Sequence, residues 1–295
     1  MNIIKTMNPL LLSLALATCA TATWAAQEAP FSNPVEVQLI RNATVKIDFA
    51  GTTFLVDPML AAKSAWPGFE GTYRSELRNP LVELPFSVDD VLNSVEAVVV
   101  THTHLDHWDD AAQKLIPKNL PVFVQNEADA KTIRDQGFKD VRVLSDSTTF
   151  NGVTMKKTGG QHGTDLLYAN DVLAESLGQA MGVVFSAPES KTVYVAGDTV
   201  WRPEVSAVLE QEKPEVVILN TGTALLTGYE VHPIIMGKQD TRQAYESAPQ
   251  ADIVAVHMDA VNHMSLSRKE LREFVNEQKI QDRVLVPEDG ESMKF

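Results

Sequence analysis

Apolar and polar residues alternate over Val35–Ile40, Thr44–Phe49 and Thr53–Val56, the pattern of half-buried β-strands, and Ala50-Gly51 sits where a tight turn would join the last two. Residues 57–87 then lose all periodicity and contain Pro58, Pro67, Pro80 and Pro85. An irregular stretch of that length often carries function. Val88–Ser94 predicts a short helix, and Ala97–Val100 is the unbroken apolar run expected of a strand covered on both faces. From there helix and strand alternate. Helices are predicted over Asp109–Leu115, Glu127–Gln136, Glu204–Gln211 and Asp240–Glu246. Strands are predicted over Val122–Val124, Val141–Leu144, Val153–Lys157, Ala180–Ser186, Thr192–Ala196, Val216–Leu219, Ile253–Val256 and Val284–Val286. The last helix starts at Ser267, because Ser267-Arg268-Lys269-Glu270 has the form of a capping box. Two β-rich stretches with interspersed helices predict two sheets packed face to face, helices outside. A doubly wound parallel sheet is the rival. It fits less well, since the opening strands follow one another at hairpin spacing with no helix between them.

Composition sharpens this picture at the N-terminus. Lys5 is followed by an apolar run, Leu10 to Ala20, that is short for a bilayer, and then by the small residues Ala22, Ala25 and Ala26. Residues 1–26 are therefore expected to be a signal peptide, cleaved between Ala22 and Gln27, leaving residues 27–295 as one domain in the periplasm or medium. A lipoprotein signal, Leu16-Ala17-Thr18-Cys19 with Cys19 lipidated, is a second reading that Thr18 fits poorly, and an uncleaved anchor is a third. Cys19 is the one cysteine, so a chain cut after it has neither disulfides nor thiolate ligands. No other segment is long and apolar enough to span a membrane. With 44% hydrophobic residues the chain can build a large core, and its net charge of −14 disfavours nucleic acid, which leaves a small molecule as the expected partner. Oligomeric state has no signature in the pattern.

The chemistry is concentrated in Thr101-His102-Thr103-His104-Leu105-Asp106-His107, which holds three of the seven histidines. Side chains two apart in an extended segment point the same way, so His102 and His104 can converge on one ion, while Asp106 and His107 can turn toward a second. Imidazole and carboxylate suit Zn²⁺, Mn²⁺ or Fe²⁺. Three more candidates stand at or beyond apolar strands: His162 among Gly159, Gly160 and Gly163, Asp198 after Val193–Gly197, and His257 after Ile253–Val256. His263 competes with His257 as a ligand; His257 is preferred because it directly ends its strand, and His263 becomes a candidate proton donor. Asp57, also at a strand end, is a candidate to orient a ligand histidine. Trp66, Phe69 and Tyr73 could wall a cleft, Arg74 and Arg78 could bind an anion, and His232 could lie on the rim. Trp108 could line the cleft or pack in the core. Asp109 and Asp110 suit a helix N-terminus.

The run His-x-His-x-Asp-His, followed in order by a Gly-flanked histidine, Gly-Asp-Thr after a strand and a strand-end histidine, resembles the metallo-β-lactamase superfamily of hydrolases from Val35 to Glu291. The resemblance implies an αββα sandwich of two mixed β-sheets flanked by helices, with two divalent cations at one sheet edge. One ion would be held by His102, His104 and His162, the other by Asp106, His107 and His257, with Asp198 bridging. Zn²⁺ is the default metal, with Mn²⁺ or Fe²⁺ as alternatives. A bridging aspartate resembles the lactonase and phosphodiesterase branches, and Phe54-Leu55-Val56-Asp57-Pro58 is similar to lactonase and phospholipase D-type members. The implied activity is attack by a hydroxide shared between the ions on an ester, lactone or phosphodiester, with Asp106 orienting the nucleophile. No Gly-x-Ser-x-Gly elbow offers a serine nucleophile instead. The alternatives are a mononuclear iron oxidoreductase, a β-lactam hydrolase and a non-enzymatic binding protein. The last is disfavoured because no ligand position carries an inert residue.

Overall fold

The computed structural model describes Met1 and residues 33–295, so the expected signal segment and Cys19 lie, Met1 apart, outside the described residues. Three opening strands, β1 (Glu36–Arg41), β2 (Thr44–Phe49) and β3 (Thr52–Val56), form an antiparallel meander. The next three, β4 (Ala97–Val100), β5 (Val122–Val124) and β6 (Val141–Val143), add to β3 in parallel. The second sheet repeats this plan. There β7 (Thr148–Phe150), β8 (Val153–Thr158), β9 (Gly182–Ser186) and β10 (Val193–Val195) pair antiparallel, and β11 (Val216–Asn220), β12 (Asp252–Val256) and β13 (Val284–Leu285) extend β10 in parallel. A last strand, β14 (Ser292–Lys294), returns to pair with β1, so each sheet has seven strands among the described residues.

The two sheets face each other through Leu39, Ile47, Phe54, Val56 and Val99 on one side and Val183, Phe185, Val195, Ile218 and Val254 on the other. Phe185 is central: its ring lies 5.1 Å from that of Phe54 and 6.2 Å from that of Phe49. Alternate residues face the other way. Leu55, Val98 and Val100 pack under helices α1 (Val88–Leu92), α2 (Asp110–Leu115) and α3 (Glu127–Asp135). Two short helices, α4 (Asp165–Tyr168) and α5 (Asp171–Leu177), follow β8. Tyr194, Val217, Leu219, Ile253 and Ala255 pack under α6 (Pro203–Glu212), α7 (Lys238–Ser247) and α8 (Arg268–Gln278). Burial on both faces explains why β4, β11 and β12 read as unbroken apolar runs. The fold is therefore the αββα sandwich of two mixed sheets, and the doubly wound alternative does not form.

Local signals placed several boundaries. Ser267 Oγ accepts from the Glu270 N–H, and the Glu270 carboxylate accepts from the Ser267 N–H, closing the predicted capping box. Asp109 caps α2 by accepting from Ala112 N–H at 2.7 Å. Four elements had no sequence expectation: β7, α4, α5 and β14. No helix among the described residues is long and apolar enough to cross a membrane.

Candidate metal centre

The carboxyl ends of β3, β4, β10, β11 and β12 lie at one edge of the sandwich, and the functional side chains follow them directly. Asp57 ends β3, His102 comes two residues after β4, Asp198 three after β10, and His257 immediately after β12. His162 comes in from the loop beyond β8. All seven residues expected to meet do meet. Ligand atoms of His102, His104 and His162 lie within 4.8 Å of one another, as do those of Asp106, His107 and His257, and those of His102, His107 and Asp198. Asp198 is the hub. Its Oδ2 lies 3.1 Å from His107 Nε2, 3.4 Å from His162 Nε2, 3.6 Å from His257 Nε2 and 4.0 Å from His102 Nε2.

The rings are held from behind. His107 Nδ1 donates to Asp57 Oδ2 at 2.9 Å, and Asp57 in turn accepts from the Thr101 N–H and hydroxyl, each at 2.7 Å. This is the orienting role expected of Asp57. His162 Nδ1 donates to Ile234 O at 2.9 Å, and His102 Nδ1 lies 3.1 Å from Thr101 Oγ1. His104 is turned the other way, with Nε2 on Ser176 O at 3.1 Å and Nδ1 toward His102 Nε2 at 3.0 Å. Fixing one ring nitrogen leaves the other lone pair aimed at the centre.

The centre leaves an acceptor that a cation would satisfy. The buried Asp106 Oδ2 has no hydrogen-bond partner, and the Nε2 atoms of His107 and His257 converge at 3.1 Å. Burial pushes His102 well below the usual histidine range, helped by the neighbouring His107 and His104, and takes His104 down to about 4. At His107 burial acts in the same sense, but Asp198, Asp106 and Asp57 outweigh it and raise its pKa well above normal. Burial would raise Asp198 and Asp106, yet the adjacent histidines, His107 foremost, hold both below the usual carboxylate range. The side chains of Asp57, Asp106 and Asp198 thus surround His107 in a buried space, and the His/Asp donor set fits divalent cations.

His263 belongs to neither ligand group. Its Nε2 is 3.9 Å from Asp106 Oδ2, its Nδ1 has no partner, and burial brings its pKa down to about 4. It borders a cavity of about 210 Å³ that opens on the cluster and is lined by Phe69, Glu70, Leu177, Leu226 and Ile234. Other candidates lie elsewhere. The Arg74 guanidinium donates to Asn262 O and Met264 O, and that of Arg78 to Ser64 O and Ala65 O, so neither reaches the cavity. Trp108 is buried under the first sheet and donates to Gln136 Oε1. His232 contacts Thr164 and does not line the cavity.

Sequence reasoning missed three asparagines. Asn220 donates to Asp198 Oδ1 at 2.6 Å, and the strand-end rule that singled out Asp198 also applies to it. Asn42, in the β1–β2 turn, donates from Nδ2 to Asp106 O, and its own carbonyl accepts from the His257 N–H. Asn262 ties the loop over residues 69–79 to the segment carrying His263. Gly222 was missed as well. A Cβ there would come within 2.2 Å of His257 O, so only glycine lets this chain pass beneath His257.

Residues 52–258 match the family described as the β-lactamase superfamily domain. The chain is 45% identical over 261 residues to the UPF0173 protein YddR of Bacillus subtilis (strain 168), covering 88% of this chain and all of that one. Two solved structures are also similar. One is of a possible metal-dependent hydrolase from Veillonella parvula DSM 2008, with 53% identity and a TM-score of 0.86 over 88% of this chain and 98% of that one. The other is of an isothiocyanate hydrolase from Delia radicum gut bacteria, with 51% identity and a TM-score of 0.85 over 88% of this chain and 99% of that one. With its His/Asp cluster built on this fold, the chain belongs to the UPF0173 metal-dependent hydrolase family of the metallo-β-lactamase superfamily.

Proposed function

We propose that the chain hydrolyses small neutral molecules with an electrophilic carbon, and that isothiocyanates are its substrate class. The observation that carries this reading is the cavity against the cluster: small, partly apolar, and lined, among the described residues, by Glu70 but by no lysine or arginine. At about 210 Å³ it is below the ~300–1,000 Å³ of sites for larger ligands. The similar isothiocyanate hydrolase supports the same class. The net step is R–N=C=S + H₂O → R–NH–C(O)SH → R–NH₂ + COS. Water adds across the C=N bond, and the C–N bond then breaks with a proton delivered to nitrogen.

His102, His104 and His162 would hold one divalent ion and Asp106, His107 and His257 a second, with Asp198 placed to serve both. Such ions, Zn²⁺ by default and Mn²⁺ or Fe²⁺ otherwise, supply Lewis acidity and make water a nucleophile near neutral pH. The Asp106 carboxylate, beside the cavity, would hold the second ion through one oxygen and orient the water and accept its proton with the other. His263 borders both Asp106 and the cavity and is placed to return that proton to the substrate nitrogen as water adds; the S–H proton then moves to the same nitrogen as the C–N bond breaks. Phe69, Leu226 and Ile234 shed water from the organic substituent.

Ester or lactone opening is the second reading, because a neutral carbonyl carbon makes the same demands. A phosphodiester ranks lower, since no cationic side chain lines the cavity. Assaying one zinc-loaded preparation on benzyl isothiocyanate, a lactone, benzyl acetate, a phosphodiester and a β-lactam tests the order. Release of benzylamine should be fastest; turnover of the phosphodiester or β-lactam alone, or substrate-dependent oxygen uptake by an iron-loaded sample, overturns the reading. The apolar run over residues 10–20 further supports export with cleavage between Ala22 and Gln27, and a mature protein that retains Met1 in fractionated cells contradicts it.

A further inference from the structure

The outer wall of the cavity comes from the irregular stretch after β3, and one buried side chain sets its position. Asn262 Oδ1 accepts from the Phe69 N–H at 3.1 Å and from Asn79 Nδ2 at 2.7 Å. Its Nδ2 donates to Thr72 Oγ1 and to Tyr73 O, both at 2.8 Å, and its backbone N–H donates to Asn79 Oδ1 at 2.8 Å. Both lone pairs and both N–H groups of the amide are therefore used. Arg74 reinforces the clasp by donating to the carbonyls of Asn262 and Met264, on either side of His263. The stretch is closed on itself at Gly68, where a Cβ would lie 2.4 Å from Ser75 O. The result is an aromatic contact at the cavity: the Phe69 ring stands edge-on to the His263 ring, 4.9 Å away at 88°, and is backed by Trp66 at 5.2 Å.

We infer that Asn262 is a positioning residue for substrate selection: it holds Phe69 against His263, and the fixed Phe69 ring favours substrates whose substituent is flat and aromatic. This rests on the small neutral substrate proposed above. The test compares kcat/KM for benzyl and allyl isothiocyanate on the same preparation, a ratio that does not depend on the fraction of active protein. Phe69→Ala should lower the benzyl-to-allyl ratio by several-fold, up to about tenfold, the worth of one aromatic contact. Asn262→Asp should lower it by a similar factor, mainly through KM, and the double variant should go no lower than Phe69→Ala alone. Hydrogen exchange should rise over 66–79 in Asn262→Asp and stay unchanged in β4 and β12. Should that variant unfold, Asn79→Ala, which removes two of the same hydrogen bonds outside the cavity, should give the same ratio and exchange pattern. An unchanged ratio in Phe69→Ala, additive effects in the double variant, or unchanged exchange over 66–79 overturns the inference. If wild type turns over no isothiocyanate, the substrate reading fails by itself. The same substituents are then compared as acetates, and the exchange result stands without turnover.

Discussion

Replacing Asp57 by Asn changes one oxygen to nitrogen behind His107 and should weaken the second ion's site. In the wild type the carboxylate accepts from three donors: the Thr101 N–H and hydroxyl at 2.7 Å and His107 Nδ1 at 2.9 Å. An amide can keep its oxygen toward the Thr101 N–H, but its NH₂ then faces His107 Nδ1. Two donors confront each other there unless the imidazole moves its proton to Nε2. That is the atom facing His257 Nε2 and Asp198 Oδ2, both at 3.1 Å, so the relieved tautomer has no lone pair for a cation. Loss of such an outer partner costs roughly 10–100-fold in metal affinity, about 1.4–2.7 kcal/mol. Titrating metal-free wild type and Asp57→Asn against a competing chelator measures this. The ion assigned to Asp106, His107 and His257 should weaken by that factor, while the one assigned to His102, His104 and His162 changes little. Affinities within about twofold for both ions would refute the tautomer argument.

His257→Ala should lose one ion per chain, whereas His263→Ala should keep its metal and lose turnover; exchange of these outcomes in metal analysis means that His263 is the ligand. Because its neighbouring carboxylates raise the His107 pKa well above normal, metal-free protein carries a proton there at neutral pH that a cation must displace. Affinity should therefore rise with pH up to that raised pKa, and calorimetry in buffers of different ionisation enthalpy should detect proton release; heats independent of buffer contradict this. Gly222→Ala should displace His257 and reduce metal content without unfolding the sandwich, and full metal occupancy in the variant counts against the close approach. Phe185→Ala removes a fully buried ring between the sheets and should cost about 3–5 kcal/mol in denaturant unfolding while leaving the ligand set intact.

What the sequence made legible was whatever physics encodes locally. Strand alternation, the capping box at Ser267 and the crowding of His102, His104, Asp106 and His107 are all patterns within a few residues. His162, Asp198 and His257 were found because each follows an apolar strand and belongs to a chemically distinctive set. The asparagines that hold the site together were not found, because their partners are remote: Asn262 binds Asn79 and Phe69, and Asn42 binds Asp106. A neutral amide in a turn gives no sign of a distant partner. The short helices α4 and α5 are four and seven residues long, too short to show a helical period even though Asn170 caps α5 through the N–H groups of Val172 and Leu173, and β14 is a strand only because β1 offers it an edge. Trp108 and Asp109 adjoin the histidine motif yet serve the core and the helix cap. The turn in which the His107 and Trp108 N–H groups donate to His104 O redirects the chain at that point.

Anomalous diffraction from crystals grown with zinc is the most direct measurement of the metal centre. Two peaks are expected, one among His102, His104 and His162 and one among Asp106, His107 and His257, both within bonding distance of Asp198 Oδ2. No peak among these seven side chains at saturating zinc would contradict the assignment.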